Sequence, residues 1–237
     1  MTPPPVPPSD SPADPKDALA PAPETAAGLD SVSKILRDNG WQVQLYENSL
    51  AVEEAAKGAH NPRILHIATR SFYLEQSDAT NSPTAVETPP GLGDPTLRVG
   101  LFFAGANAAL SGAEVPSDTE DGILSAYEAA NLDLNGTELV VLDDSAGTSQ
   151  QQTGREATFA MPRALLRAGA ESVLTTLWPV SEKESAEMTS AFYKHWQSGE
   201  DKATALRKAE EEMRAAIMKH TGKDAPKKWA AWVLIGR

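Results

Sequence analysis

Short apolar runs recur along this chain and are separated by polar turn signals. Each run holds about five to seven mostly aliphatic residues, a pattern typical of strands buried in the interior of a sheet. These runs are Arg63–Thr69, Val99–Phe103, Glu138–Leu142, Ser172–Leu177 and the closing segment Ala230–Ile235. A stretch of alternating apolar and polar residues, Trp41–Tyr46, predicts one further strand.

Helical periodicity fills the segments between and after these runs. The pattern predicts a short helix capped by Asp30 or Ser31, further helices and two long amphipathic ones near the end. Their expected ranges are 30–36, 51–59, a helix within 124–130, 156–168, 182–196 and 202–219. Because strands alternate with helices, the sequence predicts an α/β fold with a mostly parallel sheet.

Two segments lack either periodicity. Residues 1–28 hold nine of the 18 prolines and are rich in alanine, so we expect a disordered tail there and a single domain over residues 29–237. Residues 75–98 are polar and rich in Pro, Thr and Gly, which predicts a long surface loop.

Composition excludes several classes of function. A formal charge of −12 argues against nucleic-acid binding, which needs clustered Lys and Arg. The chain has no Cys and only four scattered His, so we expect neither a metal site nor a cofactor. No apolar run is long enough to span a membrane and the first residues do not resemble a secretory signal, so we predict a cytoplasmic protein.

Four separated motifs then occur in a characteristic order. They are LHIATRS at 65–71, DGILSAYEAANLDLNGTELVVL at 121–142, RALLRAGAESVLTTLWPV at 163–180 and WAAWVLIG at 229–236. In this order they resemble the CHAT family of caspase-like domains. The resemblance implies a three-layer sandwich with helices on both faces of a mostly parallel sheet, and a Cys/His dyad in active members.

Both dyad positions differ from the family's active pattern. Where the family has Ala-Thr-His-Gly, this chain has Ala68-Thr69-Arg70-Ser71. Where the family has Ser-Ala-Cys-Glu-Thr-Gly, residues 143–148 read Asp-Asp-Ser-Ala-Gly-Thr, which places Ser145 at the position of the nucleophile. The resemblance therefore makes Arg70 and Ser145 the degenerate dyad.

These replacements remove the chemistry of a cysteine peptidase. A serine hydroxyl needs a neighbouring base, and a guanidinium stays protonated and cannot be that base. Arg70 could form an ion pair with Asp143 or Asp144, or extend into solvent, and the sequence leaves both readings open. The resemblance also implies a cleft at the strand ends, whose candidate residues are Thr69, Ser71, Asp143, Asp144, Ala146, Gly147 and Trp178.

His66 is a candidate for a substitute base, but its position in the predicted strand argues against this role. It lies four residues before Arg70 on the same side of the predicted strand, a displacement of about 13 Å. We therefore predict a hydrogen-bonded core histidine rather than a catalytic one.

The leading hypothesis is a non-proteolytic, regulatory or adaptor pseudopeptidase in signalling that binds a protein or peptide. Two alternatives stay open: a hydrolase that uses Ser145 with Asp143 or Asp144 as base, and a degenerate fragment of a larger protein. The family's domain usually begins with one more strand than the sequence offers here. We therefore expect a free sheet edge that a partner, a second copy or the tail covers.

Overall fold

The computed structural model describes residues 23–73, 95–112, 116, 119–143 and 155–237. Seven strands are found there. They are β1 (Ile64–Ala68), β2 (Ser71–Tyr73), β3 (Val99–Phe102), β4 (Ile123–Ser125), β5 (Leu139–Asp143), β6 (Ser172–Thr176) and β7 (Trp232–Gly236).

The described residues also form eight α-helices and two 3-10 turns. The α-helices are α1 (Pro23–Asp38), α2 (Glu53–Lys57), α3 (Ala106–Leu110), α4 (Ala126–Ala129), α5 (Arg155–Arg167), α6 (Glu182–Gln197), α7 (Lys202–Thr221) and α8 (Pro226–Trp229). The 3-10 turns span Asn48–Leu50 and Pro95–Leu97.

Four of the strands form the central sheet, in the order β1-β5-β6-β7. The first three run parallel, and β7 pairs antiparallel with β6. This arrangement confirms the predicted mostly parallel sheet. The strand and helix predictions for β5, β6, α6 and α7 also agree with the structure to within one or two residues at each end.

Helices cover both faces of this sheet, which confirms the predicted sandwich. On one face, Val140 and Val173 pack with Leu165 of α5. On the other, Leu139 and Leu174 pack with helices α1, α6 and α7 around Phe192. These side chains are completely buried, and each contributes about 1.5–3 kcal/mol relative to an exposed position.

A second, smaller sheet contradicts one expectation. The run at 99–103 was expected to continue the central sheet, but β3 is the middle strand of a separate antiparallel sheet with the order β2-β3-β4. Gly100 permits this sheet, because a Cβ there would lie 2.5 Å from the Phe72 ring and 2.8 Å from the Leu124 carbonyl oxygen. The outer strands β2 and β4 have three residues each, too few for a periodic pattern.

Two further predictions for the first 50 residues are wrong. Helix α1 begins at Pro23 instead of Asp30, because its first turns pack on α6: Gly28 lies against Ala186, and the Thr25 N–H donates to Glu182 Oε2 at 3.2 Å. Residues 41–46 alternate in exposure as predicted, yet they form no ladder with any described strand.

Candidate functional site

The candidate site lies at the carboxyl ends of β1 and β5. In this strand pair each β1 residue is level with the residue 75 positions later, so Ala68 is level with Asp143. The ladder continues one step further, because the Thr69 N–H donates to the Asp143 carbonyl at 3.0 Å. The register therefore brings the first motif and the second motif side by side.

Arg70 follows directly and connects the two sheets. Its carbonyl accepts the Phe102 N–H at 3.0 Å, and the Thr69 hydroxyl donates to the Phe102 carbonyl. Ser71 then begins β2, which pairs with β3. Arg70 is half-buried, and a backbone hydrogen bond ties it to β3.

Asp143 is the buried acid of the site, with only 6% of its surface exposed. Its negative charge acts on two neighbours. Burial lowers the pKa of His66, against the opposing attraction of Asp143, so the imidazole is neutral. Burial and then the charge of Asp143 raise the pKa of Tyr193, so this phenol keeps its proton.

The same histidine and tyrosine touch each other beneath the strand ends. Tyr193 Oη lies 3.4 Å from His66 Nδ1, and the two rings stack with centroids 5.8 Å apart. His66 Nε2 is enclosed and has no hydrogen-bond partner among the described residues. His66 was predicted to be a hydrogen-bonded core residue. Nδ1 has the expected hydrogen-bond partner, and Nε2 has none among the described residues.

Trp178 stands two residues beyond β6, the next parallel strand. Its indole N–H donates to the Lys227 carbonyl at 2.8 Å, which fixes the ring against α8. The ring also packs at the border of the core formed by α1, α6 and α7. Trp178 therefore lies on the α6 side of the sheet, where its ring is held against α8.

The sequence-predicted site residues divide into two groups. Thr69, Arg70, Ser71 and Asp143 come together at the ends of the two strands, with Trp178 after the third. The other candidates lie outside the described residues: Asp144, Ser145, Ala146 and Gly147. The hypothetical ion pair between Arg70 and one of the two acids stays a prediction.

Sequence reasoning missed one polar cluster away from the strand ends. Oxygens of Glu53, Glu120 and Glu128 lie within 4.8 Å of one another, the donor type that divalent cations prefer. Lys57 Nζ lies 2.7–3.0 Å from all three carboxylates, so an ammonium already stands where a metal ion would bind. The Glu53–Lys57 spacing of four is visible in the sequence, but the other two acids are not predictable from it.

A mostly parallel central sheet between helices, with the candidate site at the ends of adjacent strands, is the architecture expected of a caspase-like domain. The family model for the CHAT domain matches residues 8–237. The chain therefore belongs to the CHAT domain family.

Two curated relatives match about half of the chain. Tetratricopeptide repeat protein 28 from Homo sapiens is 33% identical over 114 residues, and its counterpart from Mus musculus is 33% identical over 117 residues. Each match covers 48% of this chain and 4% of the relative's own length. The chain thus corresponds to a small part of these much longer proteins.

No helix within the described ranges is both long and apolar enough to cross a membrane.

Proposed function

We propose that this CHAT domain binds a protein or peptide segment at the carboxyl ends of β1 and β5 and does not cleave it. The main support for this proposal is the identity of residue 70. Arg70 is a permanent cation at the position of the family's catalytic histidine. A general base must accept a proton, and a guanidinium does not do so in the accessible pH range.

The strand register supports the same reading. Ala68 is level with Asp143, so Arg70 follows β1 at the point where the second motif leaves β5. In the sequence, Ser145 comes two residues after the buried Asp143, and Arg70 takes the place of the histidine that would activate it. A serine hydroxyl without the family's imidazole base lacks its usual activation, and losing such a base commonly costs about 10⁴-fold or more in rate.

The open side of β1 supports binding of an extended segment. The Arg63 carbonyl accepts the Leu139 N–H at 3.4 Å and Thr69 donates to Asp143, so odd-numbered residues of this strand bond to β5. Backbone groups of Ile64, His66 and Ala68 therefore face away from β5, where no described strand pairs with them. We propose that an extended peptide or a second copy adds a strand at this edge.

The relatives supply weaker support. Their name refers to tetratricopeptide repeats, which stack into extended concave surfaces suited to protein binding. A regulatory role in signalling beside such a surface fits a domain that binds without cleaving. A cytoplasmic location remains a proposal of the same kind. The proposed tail would have to end before α1 begins at Pro23, and not at residue 28 as the composition suggests.

A peptide-array experiment tests the binding proposal. Labelled wild-type protein is applied to an array of extended peptides, and the peptides it retains are measured again with Arg70→Ala and with Arg63→Ala. Arg63 is the matched control, because it lies at the opposite end of β1. We expect Arg70→Ala to lose at least about tenfold in affinity, the equivalent of about 1.4 kcal/mol, while Arg63→Ala retains binding.

An array that retains no peptide, or equal loss in both variants, would contradict binding at the strand ends. The hydrolase alternative is checked separately with a fluorophosphonate probe on wild type and Ser145→Ala. We expect no labelling of either protein. Labelling that disappears in the alanine variant would establish an activated serine and overturn the non-catalytic assignment.

A further inference from the structure

Lys57 stands at the centre of three carboxylates that come from three separate segments. Its Nζ atom lies 2.7 Å from Glu53 Oε1, 2.8 Å from Glu120 Oε2 and 3.0 Å from Glu128 Oε1. We call these four residues the Lys57 cage. A quarter of the Lys57 side chain is exposed, and Glu120 and Glu128 reach the surface, whereas Glu53 is completely buried.

The cage contains more negative than positive charge. One ammonium faces three carboxyl groups, so two negative charges remain uncompensated within the cage when all are ionised. Glu53 loses the most solvation, because both of its oxygens are buried, and Oε1 pairs with the Lys57 ammonium at 2.7 Å. A buried, poorly solvated carboxylate of this kind is the group that takes up a proton first.

The titration behaviour of the cage differs from one member to the next. Burial raises the pKa of Glu53, and the ammonium of Lys57 opposes that rise incompletely. Burial also raises the pKa of Glu128, but hydrogen bonds from Ser125 and Lys57 outweigh it and leave the pKa lowered. The nearby Glu54 has a lowered pKa because it accepts the Glu120 N–H at 2.8 Å.

The cage fastens the segment that leads to the candidate site. Glu120 belongs to the chain just before β4, and Gly122 in the same segment accepts the Phe103 N–H at 2.7 Å. Phe102, one residue earlier, donates its own N–H to the Arg70 carbonyl at 3.0 Å. Three contacts, joined by short stretches of backbone, therefore connect Lys57 to Arg70. They are Lys57–Glu120, Phe103–Gly122 and Phe102–Arg70.

We propose that the Lys57 cage is a proton-sensitive clamp that tightens the small sheet around Arg70 when Glu53 is protonated and loosens it when Glu53 ionises. A protonated Glu53 is neutral, and Lys57 then pairs fully with Glu120 and Glu128. An ionised Glu53 competes for the same ammonium and repels the other two acids. The clamp is independent of whether the site cleaves or only binds.

The direction of the pH effect follows from the raised pKa of Glu53 and the lowered pKa of Glu128. A raised pKa means that the stabilising proton on Glu53 is present below the ordinary value of 4.5 and is lost as the pH rises through the higher folded value. A lowered pKa means that the contribution of Glu128 is present above 4.5 and is lost as the pH falls through its lower folded value. The clamp is therefore tightest at pH values between the lowered pKa of Glu128 and the raised pKa of Glu53.

Amide hydrogen exchange of the full chain tests this clamp. The measurement covers mildly acidic to mildly alkaline pH, in wild type and in Glu53→Gln. It gives the protection factors of the Phe102 and Phe103 amides, in which the intrinsic pH dependence of exchange is already divided out. We expect wild-type protection to fall with rising pH, by up to about tenfold for each unit by which the pKa of Glu53 is raised. Glu53→Gln should stay protected throughout.

Glu210→Gln is the matched control. Glu210 also has a raised pKa, about 6, but it lies on α7 and has no contact with the cage. We expect this variant to keep the wild-type pH dependence at Phe102 and Phe103. A pH-independent protection in wild type, or a fall that persists in Glu53→Gln, would overturn the clamp. If the glutamine variant does not fold, a carboxyl-carbon NMR titration of Glu53 in wild type replaces it, and a titration midpoint that differs from the midpoint of the fall in Phe102 and Phe103 protection would overturn the clamp.

Discussion

Strands β1 and β5 pair residue by residue, yet they occupy different environments. All five residues of β5 are buried, and β5 has a parallel neighbour on each side. In β1 only Ile67 is buried, and within the described residues the strand has a neighbour on one side. The interior strand holds the core together, whereas the edge strand has one side without a described partner strand and leads into Arg70. We therefore attribute stability to β5 and propose binding at its neighbour β1.

The largest expected effect compares two residues that face each other across this pair. Ile64 is level with Leu139, but Leu139 is completely buried and Ile64 is half-buried. We expect Leu139→Ala to lower the free energy of unfolding by about 2–5 kcal/mol, because it leaves a cavity in a closed core. Ile64→Ala should cost about 1–2 kcal/mol, since its surroundings are partly open to water.

Urea denaturation of the two variants measures this difference. Equal losses in both would contradict the distinction between an interior strand and an edge strand. Retained peptide binding in Leu139→Ala under conditions in which it stays folded would further separate stability from the site.

The next effect concerns the small sheet that fastens the end of β1. Gly100→Ala introduces a methyl group 2.5 Å from the Phe72 ring and 2.8 Å from the Leu124 carbonyl. We expect a loss of about 1–3 kcal/mol from overpacking, together with faster amide exchange at Phe102. Gly136→Ala is not a suitable control, because its positive φ of 107° strains any side chain.

A control with ordinary backbone geometry is Ala108→Gly on α3, an exposed helical position. It should cost about 0.5–1 kcal/mol from helix propensity and leave Phe102 exchange unchanged. Unchanged exchange in Gly100→Ala as well would show that the small sheet does not control the segment at Arg70.

The smallest expected effect is a pH dependence far from both strands. Partial burial and then the charge of Glu211 raise the pKa of Glu210 to about 6. A raised pKa means that the stabilising proton is present below the ordinary value and is lost as the pH rises through about 6. We expect Glu210→Gln to be more stable than wild type in thermal unfolding at pH 8 and similar at pH 5. Equal differences at both pH values would contradict this assignment.

The sequence predicted the interior of the molecule better than its border. Long apolar or amphipathic patterns identify β5, β6, α6 and α7, because burial on one face imposes a period over many residues. Strands β2 and β4 are too short to show a period. The early start of α1 depends on its contact with α6 across more than 150 residues, which no local pattern contains.

The candidate site was predictable only through the resemblance. Arg70 and Ser145 became recognisable as dyad positions from the order of the motifs, and the register then brought Arg70 to the end of β5. The contact between His66 and Tyr193 joins residues 127 positions apart, and the Lys57 cage joins α2 to α4. Such clusters depend on tertiary packing, so composition and spacing do not identify them.

The central claim is that the dyad, and not the fold around it, has been lost. Peptidase activity against a broad peptide library tests it most directly, with wild type measured beside the double variant Arg70→His, Ser145→Cys. We predict no cleavage by wild type and measurable cleavage by the double variant, which would show that the strand ends still form a working cleft. Cleavage by wild-type protein that Ser145→Ala abolishes would contradict the claim.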